Sequence, residues 1–179
     1  MKVIEGCAGR EEAIVSLFRD TFTTSEGAEE GAVVSGLAQD LLEGPPASDI
    51  RVFRAEEEGR VIGVAIFTPL VYPGQATRVM LLSPMAVAPD RQGRGVGQGL
   101  LRHALGALRA EGVAVVLTYG DPGYYRRVGF APVAAASMPP PRPLSAPEGW
   151  LGQSLTGGTL PALSGVPTCA AALDRADVW

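Results

Sequence analysis

Cysteine is scarce in this chain. Cys7 and Cys169, one near each end, offer neither a disulfide framework nor the close spacing of a metal site. They read as reduced, partly buried thiols of a cytoplasmic protein, and no metal is expected. Positive charge is short as well: the formal net charge is −4, so a general electrostatic attraction to nucleic acid or to an anionic membrane is not expected. Long apolar runs are missing. None approaches the ~20 residues of a membrane helix, and Met1-Lys2-Val3-Ile4-Glu5 is already charged within its first residues, unlike an export signal. What remains is a soluble chain of 179 residues, 46% hydrophobic and 19% charged, long enough for one sizeable core and short for two.

The apolar residues are spaced as an alternation of strands and helices. Residues 2 to 5 suit a short strand. Ile14, Val15, Phe18 and Phe22 share one helical face, and Val33, Val34, Leu37 and Leu41 repeat the spacing, which predicts two amphipathic helices. Glu26, Glu29 and Glu30 lie between them as an acidic stretch, either a solvated surface or an attraction for a cationic amine. Ile50 to Ala55 and Arg60 to Leu70 read as a hairpin around Glu56-Glu57-Glu58-Gly59. Gln75 to Val87 reads as a third strand. Val113 to Thr118 is so continuously apolar that it predicts a buried central strand. The order βααβββαβαβ describes an α/β (mixed) fold, a mixed sheet with helices on both faces.

Between the third strand and the next helix stands Arg91-Gln92-Gly93-Arg94-Gly95-Val96-Gly97-Gln98-Gly99. Backbone amides unshielded by side chains at a helix start suit an anion such as pyrophosphate. The Walker A pattern fails, because Gly99 is followed by Leu100-Leu101 and not by Lys-Ser/Thr. The dinucleotide pattern fails because the glycines fall at every second position. A nucleotide-binding regulator is disfavoured on both grounds. Pro84 sits inside the preceding strand, where its missing N–H marks an edge or a bulge. With Met85-Ala86-Val87 still strand-like after it, a bulge is the better reading, and a bulge parts the strand from its neighbour.

Further on, Gly120-Asp121-Pro122-Gly123-Tyr124-Tyr125 opens a short helix with Asp121 as N-cap and Pro122 at its first position, and Gly129 supplies the stop. On the helix after the glycine loop, Leu100, Leu101, Ala104, Leu105 and Leu108 form the packing face. His103, the only histidine, points away from it and reads as a solvated residue. Pro139-Pro140-Pro141-Arg142-Pro143 is a stiff, extended strap. Past it, Trp150, Leu151, Leu155, Leu160 and Leu163 make the tail too apolar for disorder. Thr168 to Leu173 could be a final strand. The expected organisation is a core over 1–138, with 139–179 packing back on it within the same domain or joining a homodimer interface.

The form Gln92-Gly93-Arg94-Gly95-Val96-Gly97, Q-x-x-G-x-G, resembles the pyrophosphate loop of the GNAT superfamily of N-acetyltransferases. Leu82 to Pro89 is similar to that family's central strand, Leu100 to Glu111 to its following helix, and Tyr125-Arg126-Arg127-Val128-Gly129-Phe130 to the Tyr-x-x-x-Gly-Phe end of its core. The Gly-Asp-Pro-x-Tyr-Tyr spelling is similar to a small bacterial subgroup often called YhbS-like. The specific part of the likeness runs from about Val79 to Val133. It implies a GNAT-like fold with a bulged central strand, acetyl-CoA as cosubstrate, and a small-molecule or peptide amine as acceptor. Met85, Ala86 and Val87 would pair with the pantetheine arm. Arg91, Gln92, Gly93, Arg94, Gly95, Val96, Gly97 and Gln98 would hold the phosphates, with Arg102 beside them and Tyr124 as a further cofactor contact.

Tyr125 would assist departure of the thiolate, a phenol donating to a sulfur whose thiol has a pKa of ~8.5. One departure matters. Many family members carry a carboxylate on the central strand, and Val79 to Val87 has none. The base is then Asp121, a water chain ending on Ser83 or backbone, or a residue of the 26–30 stretch. The same gap leaves open a non-catalytic acyl-CoA sensor on the same fold.

Overall fold

The Glu58-Gly59 turn joins two strands because both residues take the left-handed conformation, with φ of 51° and 78°, which matches the twist of a tight hairpin. In the computed structural model, which describes residues 1–44, 46 and 49–179, these strands are β2 (Arg51–Glu57) and β3 (Arg60–Pro69). β1 (Lys2–Glu5) lies antiparallel to β2. Helices α1 (Glu11–Glu26) and α2 (Ala28–Glu43) follow β1 and break at Gly27, whose φ is 103°. Ile14, Leu17 and Phe18 of α1 and Val34, Leu37 and Leu41 of α2 are buried, which is the apolar spacing of the sequence at work. Glu26 and Glu29 are exposed at the helix ends, and Glu29 and Glu30 favour the positive end of α2.

The remaining strands are β4 (Val79–Val87), β5 (Val115–Tyr119), β6 (Ala131–Pro132) and β7 (Trp150–Ser154), and the remaining helices are α3 (Val96–Ala110) and α4 (Pro122–Tyr125). The seven strands form a sheet in the order β1-β2-β3-β4-β5-β7-β6. It is antiparallel except for the β4–β5 pair. The chain divides into two compact units, Met1–Phe67 with Pro84–Ala104, and Thr68–Ser83 with Leu105–Trp179. In the first, α3 packs on β3 at Gly63, where an added Cβ would lie 3.3 Å from Val96. In the second, Trp150 is fully buried and donates from Nε1 to the Met138 carbonyl at 2.9 Å.

Three expectations are corrected. The third strand begins at Val79 and not Gln75, because the Tyr72–Gln75 turn, with Gly74 at φ 67°, occupies the chain just before it. The fourth runs Val115–Tyr119, since the Val113 N–H closes the end of α3 on the Leu108 carbonyl. No strand spans residues 168–173. Thr168 makes an isolated bridge to Val71, and Ala171–Leu173 is a 3-10 turn, as suits a run of alanines with low strand preference. The strand the sequence conceals is β7, whose apolar pattern Gly152 interrupts. That glycine is required there, because a Cβ would stand 2.8 Å from both Leu117 and Val133.

Candidate active site

Pro84 lies in a central strand, which excludes the edge reading. Leu70 donates to the Val79 carbonyl and Ala88 to the Ile62 carbonyl. Eight residue steps on β3, from 62 to 70, are thus opposed by nine on β4, from 79 to 88. The extra residue on β4 is a bulge, as a strand proline demands. The parallel β4–β5 ladder covers only Val79–Leu82 against Val115–Thr118, so it ends five residues before β4 does.

Alternation along the strand then decides which backbone groups are available. Because Ala88 donates to β3, the N–H and C=O of Ala86 face β3 too, and those of Met85 and Val87 face the opposite edge. The Val87 carbonyl already accepts from the Gln92 amide at 3.0 Å and from the Thr21 hydroxyl at 3.4 Å. The groups left on that edge are the N–H and C=O of Met85 and the N–H of Val87.

After β4 the chain makes a 3-10 turn, Pro89–Arg91, and enters the glycine loop. Charge pins the turn. Arg60 holds Asp90 through two contacts of 2.8 and 3.0 Å, and Arg91 reaches Glu57 and Asp90, each at 2.8 Å. The Arg91 hydrogen bond and charge keep the Glu57 carboxyl below its usual range, and Arg60 does the same for Asp90. Arg91, Gln92 and Gln98 therefore have internal partners, the last accepting from Arg102 at 3.0 Å. Arg94 is exposed. Gly93 and Gly95 have φ of 72° and 79°, and a Cβ on either would meet nothing within 4 Å. They leave an open, side-chain-free cradle of backbone amides at the start of α3, the arrangement that binds pyrophosphate. Val96 is buried and anchors the helix start, and Gly97 is buried beside it.

In the other unit, α4 begins as its sequence requires. The Asp121 carboxylate accepts from the Gly123 N–H at 2.8 Å, and Gly129 ends the following 3-10 turn at φ 96°. The Tyr125 ring lies over Gly120, where a Cβ would stand 2.8 Å from Cε2. Edge contacts to Tyr124 and Phe130, at 5.1 and 5.6 Å, fix its plane. Burial pushes the Tyr125 phenol up to about 12, with Thr118 hydrogen bonding acting the other way, and burial raises Tyr124 as well. Tyr119 accepts from the Ala146 N–H at 2.7 Å and stacks on Trp179.

Gly129→Ala should lower stability by about 1–3 kcal/mol, because the left-handed backbone disfavours a side chain and the new Cβ would meet the Gln153 amide nitrogen at 2.6 Å. Urea unfolding measures it.

Residues 48–132 match the family described as acetyltransferase (GNAT) domain. An uncharacterised N-acetyltransferase of Escherichia coli, YjhQ, is 36% identical over 141 residues, covering 75% of this chain and 76% of its own. The chain belongs to the GNAT acetyltransferase family. Its fold matches that of the E. coli GNAT protein YhbS, crystallised with CoA, at a TM-score of 0.79 and 23% identity over 98% of this chain and 92% of that one. A GNAT acetyltransferase of Brucella melitensis, crystallised with acetyl-CoA, matches at a TM-score of 0.70 and 26% identity over 97% of both chains.

Against the GNAT reading of the sequence, the structure adds two threonines. Thr21 caps the Val87 carbonyl from α1, a contact across 66 residues that no local pattern encodes. Thr118 is 1% exposed and donates to the Leu82 carbonyl at 2.9 Å. A hydroxyl closing an apolar strand run just before Gly-Asp-Pro was the available signal. His103 is exposed, with an edge contact to Phe53, as a solvated histidine should be. Among the described residues no helix is long and apolar enough to cross a membrane.

Proposed function

We propose that this GNAT protein transfers the acetyl group of acetyl-CoA to a primary amine, on a small molecule or a peptide, by direct attack in a ternary complex. The observation that carries the reading is the cradle at Gly93 and Gly95, opening α3 directly after a strand edge whose Met85 and Val87 amides lack a ladder. The cradle suits the pyrophosphate, and the free edge of β4 suits the two amides of the pantetheine arm, which pair as an added strand would. Arg94, exposed beside the cradle, is the arginine best suited to a phosphate. Arg91 shapes the turn through Glu57 and Asp90.

The chemistry follows from charge. As the amine attacks the thioester carbonyl, negative charge gathers on its oxygen, and an N–H on the free edge, at Met85 or Val87, stabilises it. Collapse expels the thiolate, to which the neutral phenol of Tyr125 donates. Asp121 spends its carboxylate on the Gly123 N–H, which favours the capping role over that of base.

Calorimetry separates this reading from nucleotide binding. Acetyl-CoA and CoA should bind one per chain, with no heat from ATP or NAD. Tight ATP binding with no response to CoA would remove the proposal, since the loop has no lysine for a terminal phosphate.

A further inference from the structure

Thr118 is a fully buried hydroxyl, 1% exposed, on the last rung of the β4–β5 ladder. Its single proton is committed at rest to the Leu82 carbonyl, 2.9 Å away. Two residues on, Gly120 lies against the Cε2 edge of the Tyr125 ring, which places that ring beside the chain as it leaves β5.

An acid in this place has a difficulty. Burial raises the phenol, and the charges of Tyr124 and Asp121 raise it further. Its proton is then far better held than that of the coenzyme thiol, ~8.5, so donation to the sulfur is uphill unless the phenolate is stabilised as it forms. Hydrogen bonding from Thr118 is the one influence that favours the ionised phenol.

Resting on the assignment of Tyr125 as the acid, we propose that Thr118 is its positioning residue: the hydroxyl turns from the Leu82 carbonyl to the Tyr125 oxygen as that oxygen loses its proton. The step balances. The acetyl carbon–sulfur bond breaks, the Tyr125 O–H bond breaks as the S–H bond forms, and CoA leaves as the thiol. The nitrogen–carbonyl bond has formed by then, and the proton that the acylated nitrogen gives up passes through water to the phenolate held by Thr118, after which the hydroxyl returns to Leu82.

The test reads Tyr125 itself. Installing 3,5-difluorotyrosine at position 125 lowers its titration into a range where the fold survives, and absorbance follows the phenolate. Thr118→Val keeps the branched shape and removes the donor, so it should raise that titration by about one unit, a tenfold shift, while Thr118→Ser, which keeps the hydroxyl, should leave it near the native value. Thr118→Ala repeats the test if valine packs badly. In thiol release with an active amine, Thr118→Val should slow turnover about tenfold and have no further effect when combined with Tyr125→Phe. An unmoved titration in folded Thr118→Val, or an equal loss with and without the phenol, overturns the proposal. If the titration moves but Tyr125→Phe turns over at the native rate, the acid assignment falls and the positioning role falls with it.

Discussion

Tyr125→Phe is expected to release CoA about 100-fold more slowly than the native chain, the loss typical of a missing general acid, while binding acetyl-CoA equally well. The ring supplies the packing, over Gly120 and against Tyr124 and Phe130, and phenylalanine keeps all of it. The hydroxyl supplies a hydrogen bond that strengthens only as charge moves onto the sulfur. Its loss therefore falls on turnover and not on affinity. Tyr124→Phe is the matched control and should cost far less. Single-turnover thiol release decides the matter, and a Tyr125→Phe variant at the native rate would end this residue's assignment.

The second large effect belongs to the cradle. Gly95→Val should weaken CoA binding by at least about 100-fold, on the order of two lost hydrogen bonds to a charged phosphate. There is open space for the side chain in the free protein, so the loss comes from two other sources. A branched Cβ occupies the volume the pyrophosphate needs, and φ of 79° is a conformation that valine resists. The resulting strain, about 1–3 kcal/mol, turns the amides away from their shared direction and lowers the melting temperature somewhat. Gly106→Ala is the contrast. It lies in the same helix, in open space and without a positive φ, so it should bind CoA normally and gain about 0.5–1 kcal/mol of stability. Calorimetry with both variants separates the cradle from the helix.

Much of this was legible because local chemistry encoded it. Pro84 announced the bulge, the alternate glycines announced the cradle, and Asp121-Pro122 announced the start of α4. Each is a backbone requirement satisfied by one residue type at one position. What the sequence hid depends on partners far along the chain. β7 looks like scattered apolar residues until Gly152 is seen fitting between Leu117 and Val133. The ion pair of Arg91 with Glu57, on a hairpin 34 residues away, is likewise invisible to local pattern. The duties of Thr21 and Thr118 arise only when the fold brings Val87 and Leu82 beside them. Conversely, residues 168–173 looked like a strand because they are small and mostly apolar, yet only Leu173 among them is buried and the run pairs with β-structure at Thr168 alone.

The central claim is acetyl transfer, and the most direct measurement combines thiol release from acetyl-CoA with mass spectrometry of the amine. The panel spans polyamines, aminoglycosides, amino acids and peptide N-termini. The account predicts that at least one of these amines gains an acetyl group in step with the CoA released, and that Tyr125→Phe slows both together. Tight binding of acetyl-CoA with no acetylated amine from any class would contradict it and favour an acyl-CoA sensor built on the same fold.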